Sequence, residues 1–140
     1  MTLIVPSVSD DAWKLDLPVM ENVDSPGVVA DSIQRATLCW TGKIGKDVVA
    51  IWGIQADSLL SRSGYIWLST SAKIEKYQFI FIKESKLFVE HAGKDFDYLY
   101  GIVDDRFLKS KRWLQWLGFT LSAPIVFNDV PICRFDKRYR

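Results

Sequence analysis

Apolar positions along this chain follow two periods, about two residues and about 3.6, and the switches between them mark its elements. Leu3-Ile4-Val5 reads as a short strand ended by Pro6. Ala12, Trp13, Leu15 and Leu17 have helical spacing, with Ser9 or Asp10 placed to cap the helix and Pro18 to stop it. Residues 21–25 are polar loop, and Pro26 then takes a first-turn position. Val28, Val29, Ser32 and Ile33 predict a helix of about three turns. Ala36 to Thr41 reads as a strand and Val48 to Ile54 as its partner, with hairpin turn chemistry from Gly42 to Asp47 between them.

Ser63-Gly64 marks the next turn, and Tyr65 to Leu68 reads as a strand entering the middle of a sheet. Ser69-Thr70-Ser71 is a hydroxyl cluster able to cap a following helix. Lys73 to His91 fits two templates. Tyr77 to Ile82 has strand composition, yet Ile74, Tyr77, Phe81, Glu84 and Phe88 follow a helix stripe. Length decides for helix, because no Gly, Pro or Asn breaks the run before Gly93. Such a helix is apolar around much of its circumference.

Tyr98 to Val103 is a short β-branched and aromatic run suited to a buried strand, and Asp104 or Asp105 can cap the helix after it. Phe107, Leu114 and Leu117 repeat near helical spacing, with Trp113 and Trp116 one step around the cylinder. Leu108, Leu114 and Leu117 are expected to face the sheet, leaving Lys111, Arg112 and Trp116 outside. Gly118 supplies a left-handed helix end, and Phe119 and Leu121 open a strand. The βαβ spacing predicts Tyr98–Val103 parallel to Tyr65–Leu68, joined by a right-handed crossover. Pro124 to Phe127 and Ile132 to Phe135 form a closing hairpin around Asn128-Asp129, and Lys137 to Arg140 a basic tail. The order is β-α-α-β-β-β-α-β-α-β-β, an α/β (α+β) chain read as one domain over 1–140 with a central mixed sheet.

Composition narrows the function classes. At 140 residues and 49% apolar, with six tryptophans, the chain can bury a core without disulfides or metals. The net charge of +1 gives no global pull toward nucleic acid or an anionic membrane. The basic clusters Lys109, Lys111, Arg112 and Lys137, Arg138, Arg140 read as solvated faces, so nucleic acid is not an expected partner. Cys39 and Cys133 lie in apolar runs and read as buried free thiols of a reducing compartment; no Cys/His spacing suggests a metal. No basic segment precedes Leu3, and the run Phe79 to Ile82 is far too short to span a bilayer. A soluble intracellular protein without a membrane partner is expected. His91, the only histidine, sits near a helix end, and Asp95, Asp97, Asp104 and Asp105 occupy loop or capping positions. No nucleophile elbow, phosphate-binding Gly-Lys-Ser/Thr loop or Cys/His pair is present, and no catalytic residue is assigned.

Trp113-Leu114-Gln115-Trp116-Leu117-Gly118-Phe119 resembles the C-terminal end of the GCN5-related N-acetyltransferase (GNAT) fold, where a helix closes on Leu-Gly-Phe before the last strands. More narrowly, the chain is similar to small GNAT-like internal virion proteins of short-tailed bacteriophages, in its aromatic-rich strand, long helix, strand and closing helix. The resemblance implies a mixed sheet with helices on both faces. The narrower likeness implies a non-catalytic virion or assembly protein, acting by contact with other virion or assembly proteins. It would reside in the host cytoplasm during assembly and be open to packaging and to self-association. The alternative is an acetyl-CoA-dependent N-acetyltransferase with an atypical cofactor loop.

The family places Gln or Arg and then Gly-x-Gly or Gly-x-Ala after the fourth strand, where small residues and a helix N-terminus receive the pyrophosphate. The corresponding stretch here, Leu68 to Glu75, has no glycine; Ser69, Thr70, Ser71 and Lys73 are what remains for an anion. The family's proton donor, a tyrosine four residues before the glycine, falls on Leu114. Its asparagine falls on Phe107, although Ser110 fits the small position beside it. No cofactor is therefore expected, and acetyl-CoA belongs to the alternative. Trp113 and Trp116, set among Lys111, Arg112 and Gln115, either pack under the closing strands or, with Arg112, form an interface of hot-spot composition.

Overall fold

A computed structural model describes residues 2–15, 26–71 and 76–139. The chain divides into two compact units, residues 1–55 with 66–78, and residues 56–65 with 79–140. One mixed sheet orders the strands Thr2–Pro6, Leu38–Ile44, Asp47–Ala56, Ser63–Thr70, Tyr98–Asp104, Val130–Arg138 and Thr120–Leu121, with Ile125–Phe127 also on Val130–Arg138. The predicted element order holds, with one additional short strand.

In the first unit, β1 (Thr2–Pro6) pairs antiparallel with β2 (Leu38–Ile44), and β2 with β3 (Asp47–Ala56). Helices α1 (Asp11–Lys14) and α2 (Pro26–Arg35) supply Ala12, Val29, Ala30 and Ile33 to a core with Leu15, just past α1, and Val48 and Ile51 of β3. Ala12, Leu15, Val29 and Ile33 are buried as their spacing predicts, whereas Trp13 and Val28, expected on the same stripes, are exposed. The cap of α1 differs from expectation. Asp10 makes no side-chain cap; Asp11, the first helical residue, instead turns its Oδ2 back to accept from Val8 N at 3.1 Å and from Thr41 Oγ1 at 2.9 Å. Ser7 Oγ lies 2.7 Å from the same threonine hydroxyl, so a buried polar chain ties the β1–α1 loop to β2. Leu17, Pro18 and the loop 21–25 lie outside the described residues.

The first hairpin is longer than predicted. Strand β2 continues to Ile44, and the turn shrinks to Gly45-Lys46, with Gly45 at φ +60°. Gly42 is no turn residue. It is buried within β2 at a register shift, where a Cβ would come within 3.1 Å of the Trp52 ring. Ser63-Gly64 likewise belongs to a strand, β4 (Ser63–Thr70); the chain turns earlier, over residues 57–60.

In the second unit, Ser63–Tyr65 of β4 pair in parallel with Tyr98–Tyr100 of β5 (Tyr98–Asp104), as the βαβ spacing demands. Between them runs α3 (Gln78–Ala92), so length did decide correctly between helix and strand. Tyr77, Phe81, Glu84 and Phe88 are half-buried along the expected stripe; Ile74 lies outside the described residues. Helix α4 (Leu108–Trp116) leads through Gly118 to β6 (Thr120–Leu121), and β7 (Ile125–Phe127) turns into β8 (Val130–Arg138). Asn128 and Asp129 both take positive φ, +48° and +63°, as a two-residue hairpin turn requires. The expected basic tail is mostly strand: Lys137 and Arg138 belong to β8, and Arg140 lies outside the described residues. Among the described residues no helix is long and apolar enough to cross a membrane.

Gly118 is the position most intolerant of a side chain on backbone grounds, with φ +99°. A Cβ there also meets the Lys137 ammonium at 2.5 Å, a flexible group that can move aside. Gly118→Ala should therefore lower unfolding stability by about 1–2 kcal/mol, the backbone cost alone. Urea denaturation measures it, and an unchanged midpoint would show that the turn relaxes freely.

Candidate functional site

The residual anion set does not assemble as exposed hydroxyls. Ser69 and Ser71 are 5% and 1% exposed, both already engaged in interactions, and the Ser71 backbone N–H donates to Val49 O at 2.8 Å. Thr70 is half-buried, and Lys73 lies outside the described residues. The loop also lacks the glycines that would let backbone N–H groups approach a pyrophosphate.

The closing helix is built from its C-terminus. Gly118 N–H donates to Gln115 O and Phe119 N–H to Leu114 O, both at 3.0 Å, the paired bonds of a Schellman cap. This cap turns Phe119 inward, where it meets Phe135 edge-on at 5.1 Å. Leu114 and Leu117 are buried, as expected, but Leu108 is 62% exposed, because the helix begins there and its first turn stands clear of the sheet. Leu114, where the sequence resemblance would put a proton donor, is a buried apolar side chain.

Neither aspartate caps α4; the N-cap is Phe107, without a side-chain bond. Each aspartate is recruited by a cation instead. Asp104 holds Arg106 through Oδ1 to Nε at 2.9 Å and Oδ2 to Nη2 at 2.6 Å. Asp105 Oδ1 accepts from Lys111 Nζ at 2.6 Å and from the Cys133 thiol at 3.2 Å. Lys111 first and Cys133 second hold the Asp105 carboxyl below its ordinary value, and the bond to Arg106 does the same for Asp104. Burial first, and then the Asp105 carboxylate, push the Cys133 thiol up, which suits an inert anchor and not a nucleophile. Cys39 is half-buried, more accessible than predicted, with its thiol also pushed up by burial.

The three interface candidates separate. Trp113 packs inward on α3, its indole N–H donating to Ser85 Oγ at 3.0 Å and its ring 5.1 Å from Phe81. Arg112 is exposed, and Trp116 is 51% exposed with the Lys86 ammonium 4.6 Å above its ring.

Sequence reading missed a second constellation on β5 and β8. Tyr98 and Tyr100 stack at 5.9 Å, with Arg138 over the first ring at 4.7 Å and Arg134 over the second at 4.5 Å. The Tyr98 hydroxyl donates to Asp136 Oδ2 at 2.8 Å and accepts from Arg134 Nη2 at 3.1 Å. The Tyr100 hydroxyl donates to Asp57 Oδ1 at 2.6 Å, a bond that pushes its pKa up. The signal was present as alternation, Tyr98-x-Tyr100 against Arg134-x-Asp136-x-Arg138, but it needs the register to be seen. Among the described residues no group of three or more His, Cys, Asp and Glu is placed to hold a metal.

No family model matches the chain, and no curated protein matches it. Solved structures do. Ard1 from Thermoplasma volcanium has a TM-score of 0.80 at 10% identity, covering 98% of this chain and 97% of its own. An IAA acetyltransferase from Bacillus cereus has a TM-score of 0.71 at 16% identity, with 99% of each chain covered. An acetyltransferase of the GNAT family from Streptococcus pneumoniae has a TM-score of 0.69 at 11% identity, again with 99% of each covered. The fold is GNAT-like.

Asp105 yields a pH prediction. Its folded carboxyl is held low, so its contribution is complete above the ordinary value of 3.8 and fades as pH falls through the lowered value. Wild type should lose stability below about pH 5 more steeply than Asp105→Asn, which lacks the titrating group. Parallel stability curves from chemical denaturation at several pH values would remove Asp105 from this role.

Proposed function

We propose that this GNAT-fold chain works by protein contact and not by acyl transfer. The observation that supports this most directly is Leu114, buried on the inner side of α4 where the family's enzymes carry their proton donor. Phe107, at the asparagine position, and the buried hydroxyls of Ser69 and Ser71 support it further. The contact surface is the outer side of the closing helix, where Arg112 and Trp116 offer a planar donor fork beside a rigid apolar plate. Trp113 contributes by fixing α4 to α3. The virion setting, with other virion or assembly proteins as partners in the host cytoplasm, rests on the sequence resemblance alone.

A second reading, an acetyl-CoA-dependent N-acetyltransferase with an atypical loop, is favoured by the solved structures of this fold, which include named acetyltransferases matching over nearly the whole chain. A thermal scan separates the two. A ligand at a hundred times its Kd stabilises the folded state by about 2.7 kcal/mol, a shift of several degrees for a chain of this size. On the contact reading, acetyl-CoA at millimolar concentration leaves Tm unchanged and no CoA is released to any amine. A shift of several degrees with steady CoA release would establish the second reading.

A further inference from the structure

The outward side of α3 carries a second stripe, apolar at Phe79, Ile82 and Leu87 and charged at Lys83, Lys86 and Glu90, that is exposed among the described residues. Phe79, Ile82, Lys83, Lys86, Leu87 and Glu90 recur at i, i+3, i+4, i+7, i+8 and i+11, one continuous helix face. Phe79 is 83% exposed, Leu87 47% and Ile82 37%, while the opposite stripe of the same helix, through Phe81, Phe88 and Val89, faces in. Trp116 of α4 walls one side, giving an open groove of about 460 Å³. Its charged members are two lysines against one glutamate, and the Lys86 ammonium lies over the Trp116 ring at 4.6 Å.

We propose that this groove docks an acidic amphipathic helix of about three turns supplied by another protein. The shape argument is the periodicity: a stripe about 16 Å long at 1.5 Å per residue is complemented by the apolar face of a second helix. The charge argument selects the partner. A second copy laid antiparallel and centred on this stripe would set Lys83 beside Lys86 of the other copy, like charge on like. Glutamates flanking the partner's apolar face would instead meet Lys83 and Lys86, with Arg112 exposed on the neighbouring helix. This docking role rests on the contact reading above.

The test uses the full chain and two synthetic four-turn peptides with the same Leu/Phe stripe, one flanked by glutamates and one by lysines. Trp116 fluorescence and peptide anisotropy report binding. The acidic peptide should bind at least tenfold more tightly than the basic one, and weaken as salt rises. The double variant Lys83→Glu with Lys86→Glu should reverse that preference. Leu87→Glu should abolish binding of the acidic peptide, with circular dichroism showing both variants folded; all three sites are on the surface. Equal affinity for the two peptides, no binding of either at millimolar concentration, or tighter binding to vesicles of anionic phospholipid would each overturn the proposal. So would a dimer in light scattering that the two lysine changes strengthen. Acetyl-CoA turnover would defeat the contact reading while peptide docking stood, and failed docking would leave that reading to another surface.

Discussion

The seven-pair antiparallel ladder between β5 and β8 is what the second unit depends on. Because side chains alternate along a strand, its register sorts every residue onto one of two sides. Leu99, Gly101 and Val103 share a side with Lys137, Phe135 and Cys133, and this is the buried one. The Schellman cap of α4 delivers Phe119 onto Phe135 here, and Cys133 reaches Asp105, which also holds Lys111 of α4. Just past the ladder, Tyr139 fastens α3: its ring lies where any side chain at Gly93 would have to be, and its hydroxyl donates to Val89 O in the last turn. Burial pushes that phenol up to about 12, so it remains a donor across the physiological range. A slip of one residue in the ladder would undo all of these contacts together.

The same alternation builds the other side. Tyr98 and Tyr100 stand opposite Arg138 and Asp136, and each ring accepts a guanidinium over its face. Such cation–π contacts contribute about 0.5–1 kcal/mol each at exposed sites. Their larger effect here is to satisfy the phenols and arginines mutually, through Asp136 and Asp57. An aromatic surface that would otherwise be apolar and unpartnered becomes a closed polar network. That distinguishes it from the α3 groove, where one lysine covers Trp116 and the remaining apolar positions stay open.

How far the sequence was legible follows from range. Helices α2 and α3, the βαβ unit, the Gly118 ending and the Asn128-Asp129 turn are local patterns, and each was readable. Where reading failed, a long-range contact had displaced a local preference. Gly42 looked like a turn residue, but it lies within β2, where a Cβ would crowd the Trp52 ring across the hairpin at 3.1 Å. Asp104 and Asp105 looked like caps, but Asp104 accepts from the backbone N–H and guanidinium of Arg106, ahead of the helix, and Asp105 from the Lys111 ammonium. Lys137 and Arg138 looked like a tail because their partners, Leu99 and Tyr98, lie nearly forty residues earlier. Of the candidate site, the chemistry of Leu114 was legible, because it is a matter of residue type at a spacing. The burial of Ser69 and Ser71 was not.

The ambiguity of residues 73–91 has the same physical origin as the open groove. An amphipathic helix that covers a sheet and otherwise meets water shows one apolar stripe, and its period is unmistakable. In α3 two stripes overlap, one through Phe81, Phe88 and Val89 and one through Phe79, Ile82 and Leu87, so the run from Phe79 to Ile82 is continuously apolar and imitates a strand. The inward stripe is explained by the sheet and by Trp113. The outward one is exposed, where glutamates and lysines such as Lys83, Lys86 and Glu90 meet water better than Phe79, Ile82 and Leu87 do. Phe79, Ile82 and Leu87 recur at i, i+3 and i+8, about two helical turns, beside an indole that a lysine partly covers, and exposed apolar positions so grouped are the composition on which the proposed docking rests.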